Sequence, residues 1–154
     1  MTSRRTFLKQ SGAYAAAASI APSVYATGAA AASEIEVGVL FSLTGGLSII
    51  EQSLADATMM AIDEINKAGG VNGMMIKPIL EDGASDPKTY NEKASKLVIR
   101  DRVPTVFGSY TSASRKAVLP VFEKRKNLYF YPTYYEGYEC SKNVVYTGAV
   151  PNQQ

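Results

Sequence analysis

The chain contains ten tyrosines and no histidine, and both facts limit its chemistry. Ser112, Ser114 and Cys140 are conceivable nucleophiles, but none has an imidazole to take its proton, and a hydroxyl at its free pKa attacks poorly. Ser112 and Lys116, four apart, could form a Ser–Lys pair. A serine at a helix start with a lysine one turn on reads more simply as a cap and a solvated charge. Cys140 lacks the neighbours that lower a thiol pKa and reads as a small, half-buried apolar residue. Glu81, Asp82 and Asp86 form the one close acid group, without the alternating ligands of a calcium loop. The glycine pairs at 45–46 and 69–70 match neither the dinucleotide fingerprint nor the phosphate loop. No catalytic residue, metal site or cofactor is expected.

Uncharged oxygens are what the chain does gather. Ser42 and Thr44 fall in one loop, Ser109, Tyr110, Thr111 and Ser112 in another, and Tyr131, Thr133, Tyr134 and Tyr135 in a third, within the stretch YPTYYEGYEC, residues 131–140. Hydroxyls both donate and accept, as a small neutral amide requires: donors for its carbonyl, acceptors for its NH2. An unpaired polar group there costs about 1–3 kcal/mol, which would reject an apolar molecule of equal size. The competing reading is that loop tyrosines cover core edges and leave their hydroxyls in water.

The elements that must position these loops alternate. Glu34 to Phe41 reads as a strand running into a glycine loop. Ser48 and Glu51 form a capping-box pattern ahead of a helix whose apolar positions are Ile50, Leu54, Ala57, Ala61, Ile62 and Ile65, stopped at Gly69-Gly70. A strand follows from about Met75 to Glu81, and Pro78 assigns it to a sheet edge. Asp86-Pro87 caps a second helix with Tyr90, Ala94, Leu97 and Val98 on its apolar face. Val103 to Phe107 is a strand, Ser112 to about Lys126 a helix kinked near Pro120, and Asn127 to Tyr131 and Asn143 to Tyr146 are two more strands. Strands alternating with helices predict a doubly wound parallel α/β sheet, and the order 2-1-3-4-5 puts Pro78 at the edge. Ligands of such sheets bind where the winding reverses, between strands one and three at their carboxyl ends. The three hydroxyl-bearing loops meet there, while Asp82 and Asp86 lie on the far side of the first strand.

Residues 1–26 read as an export signal: Arg4, Arg5 and Lys9 precede an apolar stretch from Gly12 to Ile20 and a small-residue cleavage site near Ala26. The segment is too short to span a bilayer, and the arginine pair resembles a twin-arginine leader addressed to the periplasm. Residues 27–33 would be a flexible mature N-terminus, and 34–154 one domain. Removing the leader turns a formal charge of +2 into −1, so nothing argues for nucleic acid or an anionic membrane. The lone cysteine cannot close an internal disulfide.

Three segments carry a resemblance: FGSYTSASRKAVLPVFE from Phe107, YPTYYEGYEC from Tyr131, and YTGAVPNQQ from Tyr146. They resemble the urea and short-chain-amide receptors among the periplasmic binding proteins, within the branched-chain amino acid receptor family, over about Ile35 to Gln154. The resemblance implies the first of two α/β lobes that close on a solute and deliver it to the permease of an ABC transporter. It also implies ligand contacts at Tyr110, Ser112, Tyr131 and Thr133, to which the loop argument adds Ser42. Thr133 looks more like the amide-sensing relatives than the urea receptors. A branched-chain amino acid receptor and an amide-sensing regulator are the alternatives. The family continues into a hinge and a second lobe, so this chain is expected to hold half of a cleft and to bind solute weakly by itself.

Overall fold

Strand β1 (Glu34–Phe41) is buried progressively from its start to its end, and Val39, Leu40 and Phe41 are almost completely shielded from solvent. It is central in the computed structural model, which describes residues 33–153. The leader and the segment before Ser33 lie outside the described residues. Around β1 lie β2 (Met75–Asp82), β3 (Thr105–Gly108), β4 (Leu128–Tyr131) and β5 (Val144–Tyr146), all parallel, in the order β2-β1-β3-β4-β5. The doubly wound fold expected from the alternation is therefore the one observed. Pro78 sits on the edge strand β2 opposite Val37, where its missing N–H interrupts no inner ladder.

Helices α2 (Pro87–Ser95) and α3 (Ser112–Arg125) cover one face. Tyr90, Ala94, Leu97, Val118 and Phe122 pack there on Leu40, Val106, Tyr129 and Tyr131, each full burial of a large apolar side chain contributing about 1.5–3 kcal/mol. The Asp86 carboxylate accepts from the amide of Thr89 at 2.8 Å, the cap its position ahead of Pro87 predicts. A π-helical turn, Lys96–Arg100, extends α2 and brings Leu97 and Val98 into this core. Pro120 is accommodated within α3, which runs unbroken to Arg125. Lys126 follows in the left-handed conformation that ends a helix.

Helix α1 (Ser48–Lys67) covers the other face and differs from expectation in two ways. Leu47, not Ser48, is the N-cap. The Ser48 hydroxyl donates back to the Gly45 carbonyl, and Glu51 is buried beneath the helix rather than closing a capping box. The amide of Ser42 and the phenol of Tyr90 both donate to Glu51 Oε2, which turns the carboxylate inward, away from the free amides of the helix start. Secondly, Ala55 and Ile62 face the sheet, while Ala57, Ala61 and Ile65 border an apolar trough of about 520 Å³ shared with Ile35 and Phe107. The apolar stripe is thus wider than the surface the sheet offers it.

Candidate functional site

At the carboxyl ends of β1 and β3 the backbone is steered by hydroxyls from β4 and the residues after it. Tyr129 donates to the Gly108 carbonyl at 2.9 Å. Tyr131 and Thr133 both donate to the carbonyl of Tyr110, at 2.7 and 3.0 Å. Those three bonds hold a turn in which Ser109 adopts φ 65°, a left-handed conformation that a non-glycine residue keeps only when its surroundings enforce it. The turn leads into the start of α3, where the Thr111 hydroxyl accepts from the amide of Ser114. Ser114 donates to the Thr111 carbonyl. Both residues therefore serve the cap, and Lys116 is exposed.

Of the five residues expected to touch ligand, Tyr110 and Ser112 retain exposed surface, while Ser42 and Tyr131 have none and Thr133 is 9% exposed. Ser42 is turned inward, its hydroxyl bonded to the phenol of Tyr90 at 3.0 Å and accepting from the amide of Ser85. It ties β1 to α2 instead of facing the cleft. Tyr131 and Thr133 converge on the Tyr110 carbonyl, and the Tyr110 ring meets Tyr134 edge-on at 6.5 Å. Tyr134 and Tyr138 are exposed; Tyr135 stacks on Tyr146 at 4.4 Å.

The acids at the end of β2 are engaged structurally. Glu81 pairs with Lys93 at 2.7 Å and with Lys96. Burial alone would raise the Asp82 pKa, yet the Thr44 hydroxyl and the amides of Ala84, Leu43 and Thr44 bring it below the ordinary carboxylate value. Among the described residues no group of three His, Cys, Asp or Glu side chains could hold a metal. Cys140 is exposed, not half-buried, because the strap that carries it packs through its tyrosines and acids instead.

Arg115 has the largest consequence for the site, and no motif flagged it. Among the described residues it is the largest fully buried side chain. Its Nε donates to Glu139 Oε1 at 3.0 Å, Nη2 donates to Glu136 and Glu139, and Nη1 donates to the Ser112 hydroxyl at 3.1 Å. The guanidinium also lies 4.7, 5.5 and 6.0 Å from the ring centroids of Tyr131, Tyr135 and Tyr146. Desolvation alone would favour its neutral form, but Glu139 and Glu136 outweigh this and raise its pKa. Tyr131 and Tyr135, with Tyr146 of β5, therefore flank a buried cation whose pairing with Glu136 and Glu139 pins the strap from Pro132 to Ser141 onto α3. An arginine three residues after Ser112, with two acids three apart in the tyrosine stretch, was the available sequence signal.

The Ser112 hydroxyl and the Arg115 guanidinium lower the Glu136 pKa to about 2. Ser112 and Glu136 line, with Tyr134, Tyr135 and Pro151, a recess of about 220 Å³ at the open end of the sheet. A reversal of winding with a recess at the strand ends is the place where open α/β sheets take up ligands.

The comparisons give the class. Residues 35–154 match the model of the periplasmic binding protein domain, and the chain belongs to that family. A leucine-, isoleucine-, valine-, threonine- and alanine-binding protein of Pseudomonas aeruginosa is 32% identical over 116 residues, 75% of this chain and 31% of that protein. A Leu/Ile/Val-binding protein homologue of Brucella abortus is 33% identical over 103 residues, 61% of this chain and 25% of its own length. The branched-chain amino acid transporter substrate-binding protein of Streptococcus pneumoniae, solved with isoleucine, superposes with a TM-score of 0.63 at 27% identity, covering 64% of this chain and 28% of that one. A Rhodopseudomonas palustris branched-chain amino acid transporter protein shares the fold with a TM-score of 0.70 at 20% identity, over 78% of this chain and 34% of that one. The chain thus spans between about a quarter and about a third of the length of these relatives. The Pseudomonas, Brucella and Streptococcus relatives are named as binding proteins, and the matched family is that of the periplasmic binding proteins.

Proposed function

We propose that this domain is the first lobe of a periplasmic receptor that captures urea or a short-chain amide and passes it to the permease subunits of an ABC transporter. The observation that carries this reading is the pairing at Arg115. With Glu136 and Glu139 on it, the guanidinium is matched and is not free to meet a ligand carboxylate. What remains at the recess is the Ser112 hydroxyl beside a Glu136 carboxylate already paired with Arg115, with Tyr110 on the adjoining loop, and a set without a free cation suits an uncharged solute. Tyr131 and Thr133 act through the Tyr110 carbonyl, fixing the loop that presents Tyr110 and Ser112. Export by a twin-arginine leader over residues 1–26 belongs to the same proposal.

The comparisons favour a second reading, a branched-chain amino acid receptor, since relatives are named for those ligands. A helix start with a serine can hold a carboxylate without a cation. Thermal shift of the intact protein against urea, acetamide, formamide, leucine and isoleucine separates the two. Stabilisation by the amides supports the first reading; stabilisation by leucine or isoleucine alone replaces it with the second.

A further inference from the structure

We infer that the edge of the lobe at the amino ends of β3, β4 and β5 is a docking face for an anionic phospholipid bilayer. The inference goes beyond the receptor reading and holds for either solute, because this edge is the end of the sheet opposite the hydroxyl-bearing loops. Arg102, Lys126 and Lys142 stand directly before residues 103, 127 and 143, which a side-chain ladder ties together. Asn127 Nδ2 donates to the Val103 carbonyl at 2.7 Å, and Asn143 Nδ2 to the Asn127 carbonyl at 2.9 Å. The three cations thereby form a row that steps about 5 Å from strand to strand. Lys124 and Arg125, in the last turn of α3, extend it. All five residues are exposed, and among the described residues none of them forms an ion pair. The acids beside them in the chain are Glu123 and Asp101, and Asp101 is engaged by Arg100 at 3.0 Å. Glu34 and Glu36 lie at the other side of this end, at the start of β1, where both pair with Lys77. A formal charge of −1 for the chain without its leader therefore conceals a separation of charge, and composition gives no sign of it.

Lys124 and Arg125 also complement the dipole of α3, a role that Arg102 and Lys142, which precede strands, do not share. Arg102 and Lys126 are held at φ 55° and 52°, where glycine or asparagine fits at less cost, so charge is kept there against conformational preference. A row of like charges repels itself and is relieved when anions approach. The apolar surface among the cations singles out a bilayer. Ile99, next to Arg100, is 46% exposed, and Leu128, two residues after Lys126, is 38% exposed. A recess of about 230 Å³ joins Ile99, Pro120 and Val121 to Lys124 and Arg125. At a bilayer the cations meet lipid phosphates while the apolar side chains enter the headgroup layer, whereas an acidic peptide uses the cations alone. Docked by this edge, the lobe keeps the carboxyl ends of its strands clear of lipid.

The test is co-sedimentation of the intact protein, without residues 1–26, with phosphatidylglycerol-containing vesicles and with pure phosphatidylcholine vesicles, at about 20 mM and about 500 mM salt. The leader is removed because its own cations and apolar stretch would bind lipid. The expected result is binding to the anionic vesicles alone, lost at high salt. The triple variant Lys124→Gln, Arg125→Gln, Lys142→Gln should bind them about a hundredfold more weakly, at about fivefold per cation removed. Lys67→Gln, Lys88→Gln, Lys116→Gln changes the net charge equally and should leave binding unchanged. Ile99→Ser with Leu128→Thr should weaken binding to the vesicles and leave binding to polyglutamate as it was. No binding of the unaltered protein to anionic vesicles at low salt overturns the inference, as does equal loss in the two triple variants. Polyglutamate binding that matches vesicle binding, with no effect of the Ile99 and Leu128 substitutions, replaces the bilayer with an acidic peptide. Circular dichroism checks the fold of each variant, and the lipid and salt dependence of the unaltered protein decides the matter independently of any of them.

Discussion

The guanidinium of Arg115 lies 4.7 Å from the ring centroid of Tyr131, whose own hydroxyl donates to the carbonyl of Tyr110. One tyrosine thus contributes a face to a buried cation and an edge to the loop between β3 and α3. The strap after β4, the start of α3 and the turn at the reversal of winding are therefore one mechanical unit. Whatever disturbs the cation should disturb the turn.

Arg115→Met should destabilise the domain by about 3 kcal/mol, because it leaves the Glu139 carboxylate with only the Tyr146 phenol and no cation, as well as removing the cation beside the tyrosine rings. Arg115→Lys keeps the charge but not the fork that engages Ser112 and both acids, and should recover less than half of that loss. Guanidinium chloride unfolding measures both, and urea is avoided as a possible ligand.

The two donors on the Tyr110 carbonyl predict a non-additive pair. Tyr131→Phe or Thr133→Val alone leaves one hydrogen bond on that oxygen, so each should cost about 1 kcal/mol. Together they strand a carbonyl, and the double variant should exceed the sum of the singles by about 1 kcal/mol or more. A double-mutant cycle reads the coupling directly.

Stability should fall at acid pH through the strap. Glu136, with a pKa near 2, and Glu139, which Arg115 and Tyr146 lower despite its burial, release protons more readily folded than unfolded. The unfolded chain then binds more protons between about pH 4.5 and 2, so the contribution is complete above that window and is lost as pH falls through it. Melting temperature recorded from pH 2 to 7 should show this limb, much reduced in Arg115→Met. At the other extreme, burial raises the phenols of Tyr90 and Tyr129. Folded protein then holds protons that unfolded protein releases, and stability should decline as pH rises above 10.

Gly108→Ala tests the approach of β1 and β3. A Cβ there would stand 1.9 Å from the Leu40 carbonyl oxygen, a backbone atom that cannot swing aside. The two strands must separate at the reversal of winding, so a loss of about 2–3 kcal/mol is expected, with weakened binding by any solute that uses Ser112. Thermal unfolding and calorimetry on the same variant check both.

Much of the architecture was legible in the chain because its signals are local. Valine-rich runs separated by helical stripes, Asp86 ahead of Pro87, and Pro78 in an otherwise ordinary strand depend on near neighbours, and they led to the observed strand order. The capping box at Ser48 and Glu51 misled for the opposite reason: the pattern is local, but Ser42 and Tyr90 hold that carboxylate from elsewhere in the fold. Cys140 likewise could not be assigned a degree of burial from its neighbours.

The sequence by itself determined a parallel α/β lobe with hydroxyls at its switch point, since periodicity and turn residues act over a few positions. Only the tertiary structure decided which hydroxyls remain exposed, and that the phenols enclose Arg115. Those roles depend on α3, β4, the strap and β5 meeting around one charge, and a charge taken from water must find partners wherever the fold brings them.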